Sequence, residues 1–176
     1  MRGQGMRIRF NEISPLGSQF ELLEIPDLAD QQDFVVNGPV RADCTLIRKG
    51  DDKVVLQGRV EVAILLQCDR CLGLYPFEVH TTFQLLFALE AEESWGVGDI
   101  TSSPVDLETE ILDEPVIDLD DVLRQQVYLA LPVKMLCGDG CQGLCLQCGV
   151  NLNETTCECA QTNSVSPFAA LVQLKK

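Results

Sequence analysis

The chain has 176 residues, 13 basic against 27 acidic side chains, a formal charge of −14 and nine cysteines. A compact chain of this length buries roughly 70% of its unfolded surface, so cysteines are not needed as staples for a missing core. No run of about 18 apolar residues occurs, and the opening Met1-Arg-Gly-Gln-Gly-Met-Arg lacks the apolar stretch of a signal peptide, which argues against a membrane span and predicts a cytoplasmic chain with reduced thiols.

In chain order, extended segments around Ile8-Arg-Phe10 and Phe34-Val-Val36 come first and are expected to complete, as further strands, the sheet formed by the elements that follow. Val40, Ala42, Cys44 and Leu46 then alternate with Arg41, Asp43 and Thr45, the period-2 pattern of a half-buried strand. Lys49-Gly-Asp-Asp52 supplies turn chemistry, and Val60, Val62, Ile64 and Leu66 resume the alternation, so residues 39–67 read as an antiparallel hairpin. A third strand runs from Leu74 to Leu89, with Phe77, Val79, Thr81, Phe83, Leu85, Phe87 and Leu89 on one face. The period changes at Asp118, which can cap a helix over 118–131 carrying Leu119, Val122, Leu123, Val127, Ala130 and Leu131 as its apolar stripe, until Pro132 stops it. Residues 137–159 are rich in cysteine and glycine, and Ser166-Pro167 can start a short C-terminal helix.

These patterns predict an α+β fold. It consists of a curved antiparallel sheet or barrel-like body with one main helix, a cysteine-rich zinc-knuckle segment and a short C-terminal helix. The body occupies 1–136 and the cysteine-rich segment 137–176, packed together as one unit. The charge is uneven. Glu90 to Asp121 holds 12 acids and no Lys or Arg, whereas the other 144 residues carry 13 basic and 15 acidic side chains. The acidic loop, 90–121, reads as a solvated excursion or as a docking face for a basic partner, because it would repel a phosphate backbone.

Eight cysteines fall in four close pairs: Cys68 with Cys71, Cys137 with Cys141, Cys145 with Cys148, and Cys157 with Cys159. Pairs at such spacing bring two sulfurs onto one ion, so four pairs make two tetrahedral thiolate sites, with two zinc ions per chain. Gly73 and Gly149 stand where each knuckle needs a left-handed backbone step. Chain reach favours Cys145, Cys148, Cys157 and Cys159 as a local site and leaves Cys68, Cys71, Cys137 and Cys141 as a long-range one, with a cross-braced division as the alternative. An iron–sulfur cluster and a redox dithiol at Cys68-Asp-Arg-Cys71 are the competing chemistries. Cys44 lies on the apolar face of its strand and reads as a buried thiol, while His80, between Glu78 and Thr82, reads as solvated. Gly138-Asp-Gly140-Cys-Gln-Gly143 matches a dinucleotide fingerprint in letters, yet it follows a helix rather than a strand. With eight thiolates in closed sites and one solvated histidine, no catalytic centre is expected.

Cys68-Asp-Arg-Cys71-Leu72, Leu129-Ala-Leu-Pro132, and Cys141-Gln-Gly-Leu-Cys-Leu-Gln-Cys-Gly-Val-Asn-Leu-Asn153 followed by Cys157-Glu-Cys159 resemble the YceD family of bacterial and plastid proteins, from about residue 20 to the C-terminus. The resemblance implies a factor promoting accumulation of large-subunit ribosomal RNA, in contact with a ribosomal protein or a large-subunit assembly intermediate and with ribosomal RNA as a further contact. Family members that keep only the first two pairs favour the same division of cysteines. The tail departs from the family: Asn163 to Phe168 stands where many members carry Asp-Pro-Arg. An RNA-binding knuckle using Arg70 is the alternative reading, with a thiol redox protein behind it.

Overall fold

The computed structural model describes residues 5–29, 33–89 and 108–161. They fall in two compact units, Met1–Leu66 with Pro76–Val133, and Gln67–Tyr75 with Lys134–Lys176. Among the described residues no helix is long and apolar enough to cross a membrane.

The first unit is mostly sheet with one helix. Strands β2 (Ser18–Leu22), β3 (Phe34–Lys49), β4 (Lys53–Gln67), β5 (Leu74–Leu89) and β6 (Glu108–Leu112) form one sheet in that order, and β1 (Arg7–Arg9) pairs with β7 (Val116–Asp118) in a second. The β3–β4 hairpin begins at Phe34, so the segment read as a separate strand is the start of β3. Gly50, at φ +79°, turns a three-residue loop between the paired Lys49 and Lys53. Pro39, which has no N–H to donate, accompanies a shift of register between Val36 and Val40.

Three expectations are corrected. The main sheet is open, with β2 and β6 at its edges, not a barrel. It is mixed, because β6 runs parallel to β5, Leu85 facing Glu108 through Leu89 facing Leu112. A parallel pair needs a long return connection, and the 18 residues 90–107 supply one by length. Ile8 belongs to the small sheet, opposite Ile117, and not to the main one. Residues 90–107 of the acidic loop and the helix expected from Pro167 lie outside the described residues. The remainder of the acidic stretch is β6, a bend at 113–115, β7 and the start of the helix.

Alternation places Val40, Ala42, Cys44, Leu46, Val60, Val62, Ile64, Leu66, Val79, Leu85 and Phe87 in the core, as their periodicity requires. Gly58 sits on that face because a Cβ there would lie 2.3 Å from the ring of Phe83. Helix α1 (Leu119–Leu129) is capped by Asp118, whose carboxylate accepts from the Asp121 N–H at 3.1 Å. Asp120, 2% exposed, does more than complement the helix dipole: it accepts the Met6 N–H at 2.6 Å and ties the first turn to the N-terminal segment. Leu119, Leu123 and Val127 bury the apolar stripe, and Tyr128 meets Phe34 of β3 at a ring distance of 5.4 Å.

Cys44 is buried, and burial pushes its thiol from 9.0 to about 11, with the Asp43 charge adding to the shift. The folded state therefore holds this proton more tightly than the unfolded chain. Its contribution to stability is whole below pH 9.0 and is lost as pH rises through about 11. At neutral pH Cys44 is expected to resist alkylation in the native protein and to react once urea unfolds it, as peptide mass spectrometry would report.

Candidate metal centre

The second unit holds all eight paired cysteines. Their sulfurs gather in two groups, Cys68, Cys71, Cys137 and Cys141, and Cys145, Cys148, Cys157 and Cys159, with the sulfurs of each group within 4.8 Å of one another. This is the local-plus-long-range division, not the cross-braced one. No disulfide joins any of the nine cysteines.

In the first group the Cys68 and Cys141 sulfurs are 3.8 Å apart and those of Cys71 and Cys137 3.7 Å. A disulfide would need about 2.05 Å. Four sulfurs at about 2.3 Å from one ion stand about 3.8 Å from each other along the edges of a tetrahedron, so the donor set fits a single ion. Cys68, Cys71 and Cys141 are buried, with Tyr75 and Leu136 packed against them. In the second group Cys148 is exposed and the other three are half-buried.

Local backbone geometry explains how each knuckle aims its sulfurs. In the first, the Cys68 N–H donates to Gly73 O and the Leu72 N–H to Cys68 O, both at 2.9 Å. The left-handed residue there is Leu72, at φ +57°, and not Gly73. A leucine in that conformation costs roughly 1–2 kcal/mol, which the ligand loop must offset. In the second, Gly149 at φ +73° makes the step, and its N–H returns to Cys145 O at 2.9 Å. Residues 138–143 form neither a strand nor a helix, so their fingerprint-like spelling carries no nucleotide cradle.

The thiols differ sharply in acidity. Backbone N–H groups of Cys137, Cys71 and Arg70 aimed at its sulfur hold Cys68 down to about 6, and those of Cys148 and Gln147 do the same for Cys145. Cys141 is lowered chiefly by the Asn153 side-chain amide. Cys137 is pushed up to about 12, above all by sharing a proton with Cys141, and Cys159 likewise to about 12 by Cys148. Four sulfurs this close cannot all ionise side by side unless a cation replaces the shared protons.

Two residues hold this unit together without being ligands. Arg70, inside the first knuckle, donates from its guanidinium to Cys141 O at 3.1 Å and accepts the Leu144 N–H at its own carbonyl, also at 3.1 Å. Arg70, the residue of the alternative RNA-knuckle reading, is itself exposed and spends one guanidinium N–H on this brace. Gly143, at φ +75°, lets the chain pass Arg70, whose carbonyl oxygen would stand 3.0 Å from a Cβ. Asn153, the second, donates to the Cys141 sulfur at 3.4 Å. Neither role has a periodic signal in sequence. His80 is exposed, 3.3 Å from Glu78 and 3.7 Å from Glu61.

A family profile described as "Large ribosomal RNA subunit accumulation protein YceD" matches residues 56–175, which covers both cysteine groups. The chain belongs to the YceD family. Among its YceD relatives, the chloroplastic large ribosomal RNA subunit accumulation protein YCED homolog 1 of Arabidopsis thaliana is 28% identical over 167 residues, 84% of this chain and 52% of the relative. The homolog of the same name from Zea mays is 31% identical over 137 residues, 64% of this chain and 47% of the relative. A Mycobacterium leprae protein is 28% identical over 120 residues, 65% of this chain and 49% of the relative. The chain thus spans about half the length of the curated relatives it matches. No solved structure matches it.

Proposed function

We propose that this chain is a non-catalytic ribosome biogenesis factor that promotes accumulation of large-subunit ribosomal RNA, its second unit held by two zinc ions, one in each four-cysteine group. Membership of the YceD family carries the functional half, since the matched profile and the plant relatives are named for that role. The metal half rests on sulfur separations of 3.8 and 3.7 Å in the first group, which suit one ion, and on the gathering of the second group's four sulfurs within 4.8 Å of one another. An iron–sulfur core, with thiolates on separate irons, would hold them wider apart. Bound zinc would supply two positive charges to four thiolates and no redox chemistry.

Four protein ligands per ion leave no open position for water or substrate, which supports a structural role over a catalytic one. Each four-thiolate zinc site would carry a formal −2 on a chain already at −14, so a basic ribosomal protein or a precursor particle is a better partner than bare ribosomal RNA. Arg70 already spends one guanidinium N–H on Cys141 O, which weakens the RNA-knuckle reading. Cytoplasmic action on the large subunit follows as part of the same proposal. Depleting the protein is expected to lower the ratio of large- to small-subunit ribosomal RNA, measured by quantitative electrophoresis, and expression of the full chain to restore it. An unchanged ratio on depletion would contradict the proposal.

A further inference from the structure

The two cysteine groups are not independent in space. Asn153 lies in the loop between Cys148 and Cys157, both of the second group, yet its side-chain Nδ2 donates to Cys141 Sγ of the first group at 3.4 Å. The other end of the same amide is also engaged, because Asn153 Oδ1 accepts the Gln142 N–H at 2.8 Å. Reversing the amide would turn a carbonyl oxygen toward the sulfur and an NH2 toward an N–H, so chemistry fixes which end donates.

The loop presenting this amide is braced on the second knuckle. Asn151 Oδ1 accepts from the Asn153 backbone N–H at 3.1 Å and from its Nδ2 at 2.8 Å. The Asn151 carbonyl accepts the N–H groups of Glu154 at 3.2 Å and Thr155 at 3.1 Å, and Asn151 bridges to Leu144, next to Cys145. The Cys145 N–H donates to Val150 O at 2.8 Å. The Leu152 N–H also donates to Gly143 O at 2.9 Å, but the stretch is largely exposed and has no apolar core, so closure of the Cys145, Cys148, Cys157 and Cys159 group supplies much of what holds the loop against the entropy of a free chain.

We propose that Asn153 couples the two groups: filling the second fixes the loop that aims the Asn153 amide at the Cys141 sulfur, and so tightens the first group's hold on its own ion. The inference rests on the two-ion reading above. Asn153 is a positioning residue, touching the sulfur and not the ion. Because coupling between binding sites is reciprocal, filling the first group tightens the second by the same factor. Outer hydrogen bonds to metal ligands are worth 10- to 100-fold in affinity, which sets the scale at about that size.

The test is equilibrium competition between the full chain and a chromophoric zinc chelator, fitted to two binding constants. Asn153→Ala should still take up two ions per chain but bind the first-group ion about 10- to 100-fold more weakly. Cys157→Ser with Cys159→Ser, which removes the second site, should weaken the first by a similar factor, and adding Asn153→Ala to it should weaken it no further. Asn153→Asp keeps the acceptor for Gln142 and loses the donor, so it should fall with Asn153→Ala. In the cobalt(II)-loaded chain, Asn153→Ala should also shift the sulfur-to-cobalt charge-transfer band, which a merely structural loop residue would leave in place. Equal first-group affinity in all variants, multiplying losses in the triple variant, or an unmoved cobalt band would overturn the coupling. A wild-type chain that takes up no ion would instead overturn the two-ion reading.

Discussion

Treatment of the full chain with a strong zinc chelator is expected to unfold the second unit and leave the first folded. The second unit has little apolar surface to bury: its described core is Cys68, Cys71 and Cys141 with Tyr75 and Leu136 against them, while Leu72, Leu74 and Leu146 stay exposed. Its fold free energy is then largely metal-binding free energy, on the order of 10 kcal/mol per structural zinc. The first unit has its own core, from Ile13, Leu46 and Leu56 to Phe87 and Leu123, and needs no ion. In a heteronuclear NMR spectrum, resonances of Gln67–Tyr75 and of residues 134–159 should collapse to unfolded positions, and those of residues 34–66, 76–89 and 108–133 should stay dispersed. Cys68→Ser should act in the same direction, since a hydroxyl is a poor zinc ligand at the most buried corner of the site. Retained dispersion throughout after chelation would contradict the metal-held unit.

Phe87→Ala is expected to cost the first unit about 3–5 kcal/mol in urea unfolding. Phe87 is 1% exposed and stands on the face of β5 shared by Val79 and Leu85, so truncation leaves a cavity that the neighbouring strand cannot fill without shifting its register. Leu129→Ala, at a site 70% exposed near the end of α1, makes the control and should change stability by about 0.5 kcal/mol or less. Equal effects at the two positions would mean that the sheet face is not the core.

Local periodicity explains what was legible in the sequence. The β3–β4 hairpin, the buried face of β5 and the Asp118-capped helix each repeat a pattern over many residues within one element, and each stands where the pattern places it. The parallel pairing of β6 was not legible, because it joins residues across the stretch 90–107 and leaves no mark in either strand alone. Pairing of Ile8 with Ile117 is hidden for the same reason. The grouping of the cysteines could be read from the chain's reach, because Cys145, Cys148, Cys157 and Cys159 can close on one another locally and leave the other two pairs to meet over a long range. The backbone detail could not: Leu72 makes the left-handed step beside a glycine, held by the Cys68 and Leu72 N–H bonds that close the knuckle. Nothing in the sequence marks Arg70 or Asn153 as a brace, and only the fold aims one at Cys141 O and the other at Cys141 Sγ.

One zinc ion in each of the two cysteine groups can be counted by elemental analysis together with a visible spectrum, on the 176-residue chain prepared without added metal. Two zinc per chain and a colourless solution are expected. A coloured protein containing iron, or a folded second unit with no metal at all, would contradict that assignment.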